Sequence, residues 1–348
     1  MALEKSMLTE QTAAELLETH YGVRMRHMRR MALGTANCYC VSDGSRQYFL
    51  KEFQSGFSGE VVSREAALNE TLAQRGIPVA RFYHTRDGAA YLMRRGHAVC
   101  LEEYIEGETY GYNGFPENLL TEAARMLGRL HTAMRDIWLP AGMDETWLAA
   151  FSPEGLAAQY DALLVRALDL PENEKHVRLV RDLHYKKALA QRCGDYRKAY
   201  AGITRTPTHG DYQGCQLISE GGMIRAVIDF SAARTLPAVW EVMRSYVQTS
   251  ADSREHARID LPGLCDYVRA YLEYAPLTRV DLAAAPYVYL FQLARSKFGY
   301  TEYLQTDSED REGLLAFAFW RTDMCREVER RAGEIAQALV RCGEEKPA

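Results

Sequence analysis

Four residues interrupt the local pattern in which they sit, and their types suit the handling of phosphate. Lys51 lies in Tyr48-Phe49-Leu50-Lys51-Glu52-Phe53, where strand alternation puts Phe49, Lys51 and Phe53 on one face. On its own such a lysine also fits a strand edge, with its stem on the sheet and its ammonium in water. Glu65 lies in a helical stretch in which Val61, Glu65, Leu68 and Leu72 share one stripe. A carboxylate on an apolar stripe is costly without a cation, and Lys51 on a neighbouring strand would supply one. A strand lysine paired with a glutamate on the following helix is the arrangement that holds nucleotide phosphates in protein kinases.

The other two are Asp211, in His209-Gly210-Asp211-Tyr212-Gln213-Gly214-Cys215-Gln216, and Asp229, in Val227-Ile228-Asp229-Phe230. Read singly, they are turn and strand-end residues. Their order and spacing say more. A loop aspartate orients or deprotonates a hydroxyl, and a polar side chain five residues later reaches a metal. A second aspartate, after a short hairpin, binds the metal that bridges the β- and γ-phosphates. That chemistry needs little covalent help, because positioning and charge neutralisation by Mg²⁺ supply most of it.

The elements that must position these residues are legible in outline. A helix is expected over 9–20, with Thr9 near its cap and Gly22 beyond its end. Residues 24–53 hold three short segments rich in aromatic, Val, Leu and Cys residues, separated by turn chemistry at LGTAN and DGS, which predicts three antiparallel strands. A helix from about Gly59 to Arg75 is closed by Gly76 and Pro78. Two further strands are expected at 79–84 and 90–95, then an extended stretch in CLEEYIEGET. From about 117 the pattern is helical: Leu119, Leu120, Ala123, Leu127, Leu130 and Met134 fall on one face. The exception is 208–230, which reads as a loop and two short strands. The expected architecture is α+β, with an N-terminal part over 1–106 and a larger helical part over 107–348.

Composition sets limits. A chain of 348 residues fits two domains or two lobes of one enzyme. Its 47% hydrophobic and 26% charged residues are ordinary for a globular protein, and a net charge of −5 offers no basic excess for nucleic acid. The first residues are polar and acidic and no apolar run is long enough for a bilayer, so neither export nor a membrane is expected. The eight cysteines are scattered, with no C-x-x-C, which argues for free thiols in a reducing cytoplasm over zinc or disulfides. Oligomeric state is left open.

As a set, these motifs resemble the aminoglycoside phosphotransferase family, which also includes homoserine, choline and methylthioribose kinases and spore-coat kinase-like proteins. The resemblance rests on HGDYQGCQ, VIDF, the run Pro237-Ala238-Val239-Trp240-Glu241, the strand lysine in YFLKEF, the glutamate in SREAALNETLAQRGIPVAR, the linker LEEYIEGET and the Leu127–His131 run. It covers roughly residues 10–250. It implies a protein-kinase-like two-lobed fold, with a small antiparallel-sheet N-lobe and a larger, mainly helical C-lobe. It implies a small-molecule kinase that uses ATP and Mg²⁺ and moves the γ-phosphate to an alcohol group of an acceptor. Asp211 would be the catalytic base and Asp229 the principal metal ligand. Lys51 would bind the α- and β-phosphates, with Glu65 orienting it. Glu103, Tyr104 and Ile105 would offer backbone hydrogen bonds to adenine, and the turn holding Gly34 and Asn37 would cover the phosphates. Gln216 stands where the family has a metal-binding asparagine. Its amide oxygen remains a suitable hard ligand, but the added methylene moves it by more than about 1 Å and adds a rotatable bond. That departure keeps open a second reading, a catalytically weak nucleotide-binding or spore-coat-type scaffold.

The acceptor pocket is expected among the C-terminal helices, in 240–253 and 287–310. Tyr287, Tyr289, Tyr300 and Tyr303 with Glu302 and Asp252 suit an amino sugar or amino alcohol. Arg244, Arg295 and Lys297 point instead toward a carboxylate or phosphate. The sequence does not decide between them.

Overall fold

Alternation in the first hundred residues yields a sheet with two buried faces. The structure, a computed structural model, describes residues 4–31, 36–111, 114–306 and 310–344. The elements begin with α1 (Glu10–Leu16), β1 (His27–Met31), β2 (Asn37–Ser42), β3 (Gln47–Glu52), α2 (Gly59–Gln74), β4 (Phe82–Tyr83), β5 (Leu92–Arg94), β6 (His97–Glu103) and β7 (Glu108–Thr109). The main sheet runs in the order β1-β2-β3-β6-β4, with β5 also on β6 and every pairing antiparallel. One face packs Leu50, Val99 and Leu101 against Leu16 and Leu17 at the end of α1. The other packs Cys38, Phe53 and Cys100 against Val62 and Ala66 of α2. The buried stripe of α2 carries Val62, Glu65, Leu68 and Leu72, so Val62 takes the place expected for Val61.

The strands expected at 79–84 and 90–95 shrink to two and three residues, and β6 is the strand that carries the ladder. The reason lies in a turn. Arg95 and Gly96 both have positive φ (48° and 87°), and they connect the paired residues Arg94 and His97 as a two-residue hairpin.

The remaining elements are α3 (Leu120–Met134), α4 (Met143–Ala149), α5 (Pro153–Ala167), α6 (Glu174–Arg197), β8 (Arg205–Thr208), β9 (Leu217–Glu220), β10 (Met223–Val227), β11 (Arg234–Pro237), α7 (Ala238–Thr249), α8 (Ala251–His256), α9 (Leu261–Leu272), α10 (Arg279–Arg295), α11 (Tyr300–Gln305) and α12 (Arg311–Glu344). All six residues expected on this helix face are buried, five of them in α3 and Leu119 in the turn just before it. The chain forms two compact units: a sheet unit of 3–109 with 216–233, and a helical unit of 110–215 with 234–348. The expected division put 216–233 with the helices. Instead, the β9–β10 hairpin joins the sheet unit, through β7 on β9 and a Val227 N–H that donates to Pro78 O at 2.9 Å.

Within the helical unit, α5, α6, α11 and α12 share a core that includes Tyr160, Leu163, Leu183, Tyr300 and Leu315. An antiparallel pair of β8 and β11 brackets residues 209–233 in sequence. It was not expected, because each strand is four residues long and contains a proline. No helix among the described residues is long and apolar enough to cross a membrane. The eight cysteines are free thiols, seven of them buried.

Gly107 marks where β7 meets β9. Its φ is +147°, and a Cβ there would lie 2.7 Å from the Ser219 carbonyl oxygen. Gly107→Ala is therefore expected to lower unfolding stability by roughly 1–3 kcal/mol in a denaturant titration. An unchanged midpoint would rule out this close approach.

Candidate active site

In the sheet unit, the β3 register sets Lys51 opposite Cys38 on one side and Cys100 on the other, on the face that α2 covers. Lys51 is 8% exposed, and its ammonium lies 3.3 Å from Asp229 Oδ1. Asp229 follows β10 with φ of 63°, a left-handed conformation that a short polar side chain tolerates. Its Oδ1 also accepts the Ser231 hydroxyl at 2.8 Å. Glu65 lies in the same buried cluster but does not grip Lys51. Its Oε1 accepts the Phe230 N–H at 2.8 Å, and its Oε2 is buried without a hydrogen-bond partner among the described residues. The expected Lys51–Glu65 ion pair is thus replaced by Lys51–Asp229, with Glu65 bracing the backbone just after Asp229.

A third carboxylate, Glu102 of β6, completes the cluster. It is 6% exposed, and strand alternation puts it with Cys100 on the Lys51 side of the sheet. The sequence reading passed over it in favour of Glu103, although the alternation that located Lys51 would also have located Glu102. Burial acts against the charge on Lys51, yet Asp229, Glu65 and Glu102 together hold its pKa well above the usual lysine value. Burial pushes Glu65 up to about 8, with Lys51 opposing and Asp229 and Glu102 adding to the shift. Burial raises Glu102 as well, again against Lys51.

In the helical unit, the centre is Glu241 in the first turn of α7, with no exposed surface. It accepts His131 Nε2 at 2.9 Å and the backbone N–H groups of His209 and Gly210 at 3.0 and 2.6 Å. The far nitrogen of His131, Nδ1, meets the Tyr271 hydroxyl at 2.8 Å. Burial opposes the charge on Glu241, but the His131 hydrogen bond leads the contacts that hold its pKa below the usual carboxylate value. One buried carboxylate therefore fixes the start of the loop that carries Asp211. The Asp211 N–H then donates to His209 Nδ1 at 3.2 Å, and the Tyr212 hydroxyl donates to Ala123 O at 2.7 Å.

The Asp211 side chain remains about one-third exposed. It is gripped by two groups that sequence reasoning did not connect to it. Gln213 Nε2 donates to both carboxylate oxygens, at 3.3 and 3.2 Å, and Arg244 Nη2 donates to Oδ1. Arg244 follows Asp211 by 33 residues, and nothing in the spacing announces the contact. Gly214 packs against Phe115, which leaves no room for a Cβ.

Gln216 accepts the Ile228 N–H on its backbone oxygen at 3.0 Å. The main-chain groups of Tyr104 and Ile105 make no hydrogen bond to other described residues, whereas the Glu103 N–H donates to Arg81 O. Asn37 is buried, with its amide bonded to Glu4 O, Glu52 and Arg30. Its side chain thus holds chain segments together. Gly34 lies outside the described residues. Asp252 sits partly buried in the first turn of α8. Glu302 caps α11 by accepting the Gly299 N–H, and Tyr300 lies in the core of the unit.

Residues 27–277 match the phosphotransferase enzyme family. The chain belongs to that family. Its class is that of the small-molecule kinases. The homoserine kinase of Zymomonas mobilis is 21% identical over 286 residues, spanning 82% of this chain and 83% of the relative. A spectinomycin phosphotransferase solved with ADP and spectinomycin aligns with a TM-score of 0.60 at 14% identity, over 96% of this chain and 99% of that one. A microcompartment-associated aminopropanol kinase aligns at 0.60 and 17% identity, over 94% and 99%. These likenesses show the protein-kinase-like, two-lobed fold of the family, with an antiparallel-sheet lobe and a mainly helical lobe.

The raised pKa of Glu65 has a definite sign. Between its unfolded value of 4.5 and about 8, the folded carboxyl keeps a proton that the unfolded chain has released. Its contribution is therefore present at low pH and lost as pH rises through about 8. Melting temperature is expected to decline over that window and to decline less in Glu65→Gln. Equal slopes in the two proteins would remove Glu65 as the source.

Proposed function

We propose that this phosphotransferase moves the γ-phosphate of ATP to a hydroxyl of a small molecule, with Asp211 as the base. The supporting observation is the fixed Asp211 carboxylate, held by Gln213 and Arg244 on a loop that Glu241 anchors. Asp211 would take the proton of the acceptor hydroxyl as its oxygen bonds to the γ-phosphorus, while the bond from that phosphorus to the ADP oxygen breaks. On the sheet unit, Lys51 would bind the α- and β-phosphates, and the main-chain groups of Tyr104 and Ile105 are available to adenine. Asp229, one-third exposed and fixed by Lys51 and Ser231, offers hard carboxylate oxygens to Mg²⁺, and the Gln216 amide oxygen is of the same kind. When bound, Mg²⁺ neutralises charge on the phosphates. Homoserine, spectinomycin and aminopropanol, the acceptors named for the relatives, are all hydroxylated amines, which favours an amino alcohol, amino sugar or related metabolite.

The second reading, a catalytically weak kinase-like scaffold, draws on one observation besides Gln216: Arg244 and Lys51 already occupy an oxygen of Asp211 and of Asp229. Transfer of labelled γ-phosphate from Mg-ATP to a panel of hydroxylated amines and amino acids separates the two. Asp211→Asn is expected to cut transfer by at least about 100-fold with little change in the KM for ATP. Nucleotide binding with no Asp211-dependent transfer would favour the scaffold. Gln216→Asn tests the metal site, because the shorter side chain should lower the Mg²⁺ concentration needed for half-maximal rate. A higher requirement would show that Gln216 is the better ligand here.

A further inference from the structure

The sheet unit holds a second concave region, apart from the residues assigned above to phosphates and metal. A cleft of about 510 Å³ is lined by the end of α2, the segment after it, β4, the end of β6 and β10, all within that unit. None of Lys51, Glu65, Glu102 and Asp229 lines it. Glu103 does, and alternation along β6 turns its side chain away from Glu102 and the Lys51 cluster.

Three charged side chains of the described residues line the cleft: Arg81, Glu103 and Arg225. Arg81 precedes β4, and its carbonyl oxygen accepts the Glu103 N–H at 2.8 Å, so the two residues are neighbours at the sheet edge. Neither side chain makes a hydrogen bond or ion pair with another described residue. Arg225 arrives by a different route. The β9–β10 ladder pairs Ile224 with Ser219 and Ala226 with Ile218, which leaves Arg225 as an extra residue in a bulge. A bulge re-aims the side chain that it carries. The ion pair from Arg225 to Glu220, at 3.5 Å, is solvent-exposed and holds the guanidinium only weakly. Between the charges the walls are apolar, with Pro78, Tyr83 and Ile105 half-buried. Pro78 is fixed by the Val227 N–H on its oxygen, and Tyr83 by an edge contact with Tyr48, ring centroids 5.2 Å apart. Such rigid groups suit a large apolar side chain.

We propose that this cleft is a second small-molecule site, for a free α-amino acid with a large apolar side chain. The ligand carboxylate meets the guanidinium forks of Arg81 and Arg225, its ammonium meets Glu103, and its side chain packs on Pro78, Tyr83 and Ile105. Charge complementarity selects the zwitterion. A simple anion would face Glu103, and a simple amine would face two arginines. The end of a protein chain offers one of the two charges, whereas a free amino acid offers both on one carbon.

The test titrates the full chain in a calorimeter, with and without a non-hydrolysable Mg-ATP analogue, using probes that carry no alcohol group. Phenylalanine and leucine have both charges and an apolar body; 2-phenylethylamine lacks the carboxylate, 3-phenylpropionate lacks the ammonium, and glycine lacks the body. Phenylalanine or leucine is expected to bind at least roughly 10-fold more tightly than each of the other three, with the nucleotide analogue present or absent. Arg81→Gln and Arg225→Gln should each weaken that binding at least about fivefold, while Arg225→Lys, which keeps the charge but not the fork, should lose less. Glu103→Gln should erase the preference over 3-phenylpropionate and keep the preference over 2-phenylethylamine. All three positions lie at the surface or partly so, and unchanged melting temperatures in the variants establish that the fold is intact. The proposal is overturned if neither amino acid binds, if the amine or the acid alone matches phenylalanine, or if affinity survives both arginine substitutions. Binding that the nucleotide analogue abolishes would overturn it too, because the ligand would then lie in the nucleotide site. None of these readouts requires phosphate transfer, so the result is independent of the function proposed above.

Discussion

A charge cannot stay buried in this protein without a partner, and the positions of the functional groups follow from that constraint. Glu241 shows it most plainly. Its carboxylate has no access to water, so it takes three donors from the protein: the His131 ring and the N–H groups of His209 and Gly210. Two of those donors belong to the loop that carries Asp211. Satisfying Glu241 and shaping the candidate catalytic loop are therefore one event. Breaking such a buried charged network costs about 3–5 kcal/mol, enough to make the loop conformation as firm as the fold itself.

The sheet unit meets the same constraint with less margin. One ammonium, Lys51, faces the fields of three acids, Asp229, Glu65 and Glu102. It bonds to only one of them, and the left-handed backbone at Asp229 is part of what brings that carboxylate within reach. Glu65 is left with a buried, unbonded oxygen and a pKa raised to about 8. An excess of acid around one lysine would suit the metal and nucleotide phosphates proposed for this site.

Much of the fold could be read from periodicity. The lysine strand, the helix with an inward glutamate, the inner face of α3 and the hairpin before Asp229 all carry patterns within one element, where side-chain spacing alone reports the buried face. Elements with no such pattern were missed. The β8–β11 pair joins two four-residue segments with a proline in each, and its register exists only because the two ends of the loop region come together. The placement of β6 depended on a two-residue turn at Arg95-Gly96, and a positive φ at an arginine leaves little trace in sequence.

The sequence by itself determined which residue types carry the chemistry and in what order: a strand lysine, a helix glutamate, a loop aspartate and a second aspartate after a hairpin. Those choices are local, because a side chain's face and a loop's position depend on spacing along one element. Tertiary structure decided the pairings. Lys51 reaches across 178 residues to Asp229 in preference to Glu65, and Arg244 reaches back 33 residues to Asp211. Sequence spacing cannot rank such contacts, because the Coulomb energy of a buried pair depends on a few ångströms of separation and on the water excluded around it, and packing alone fixes both.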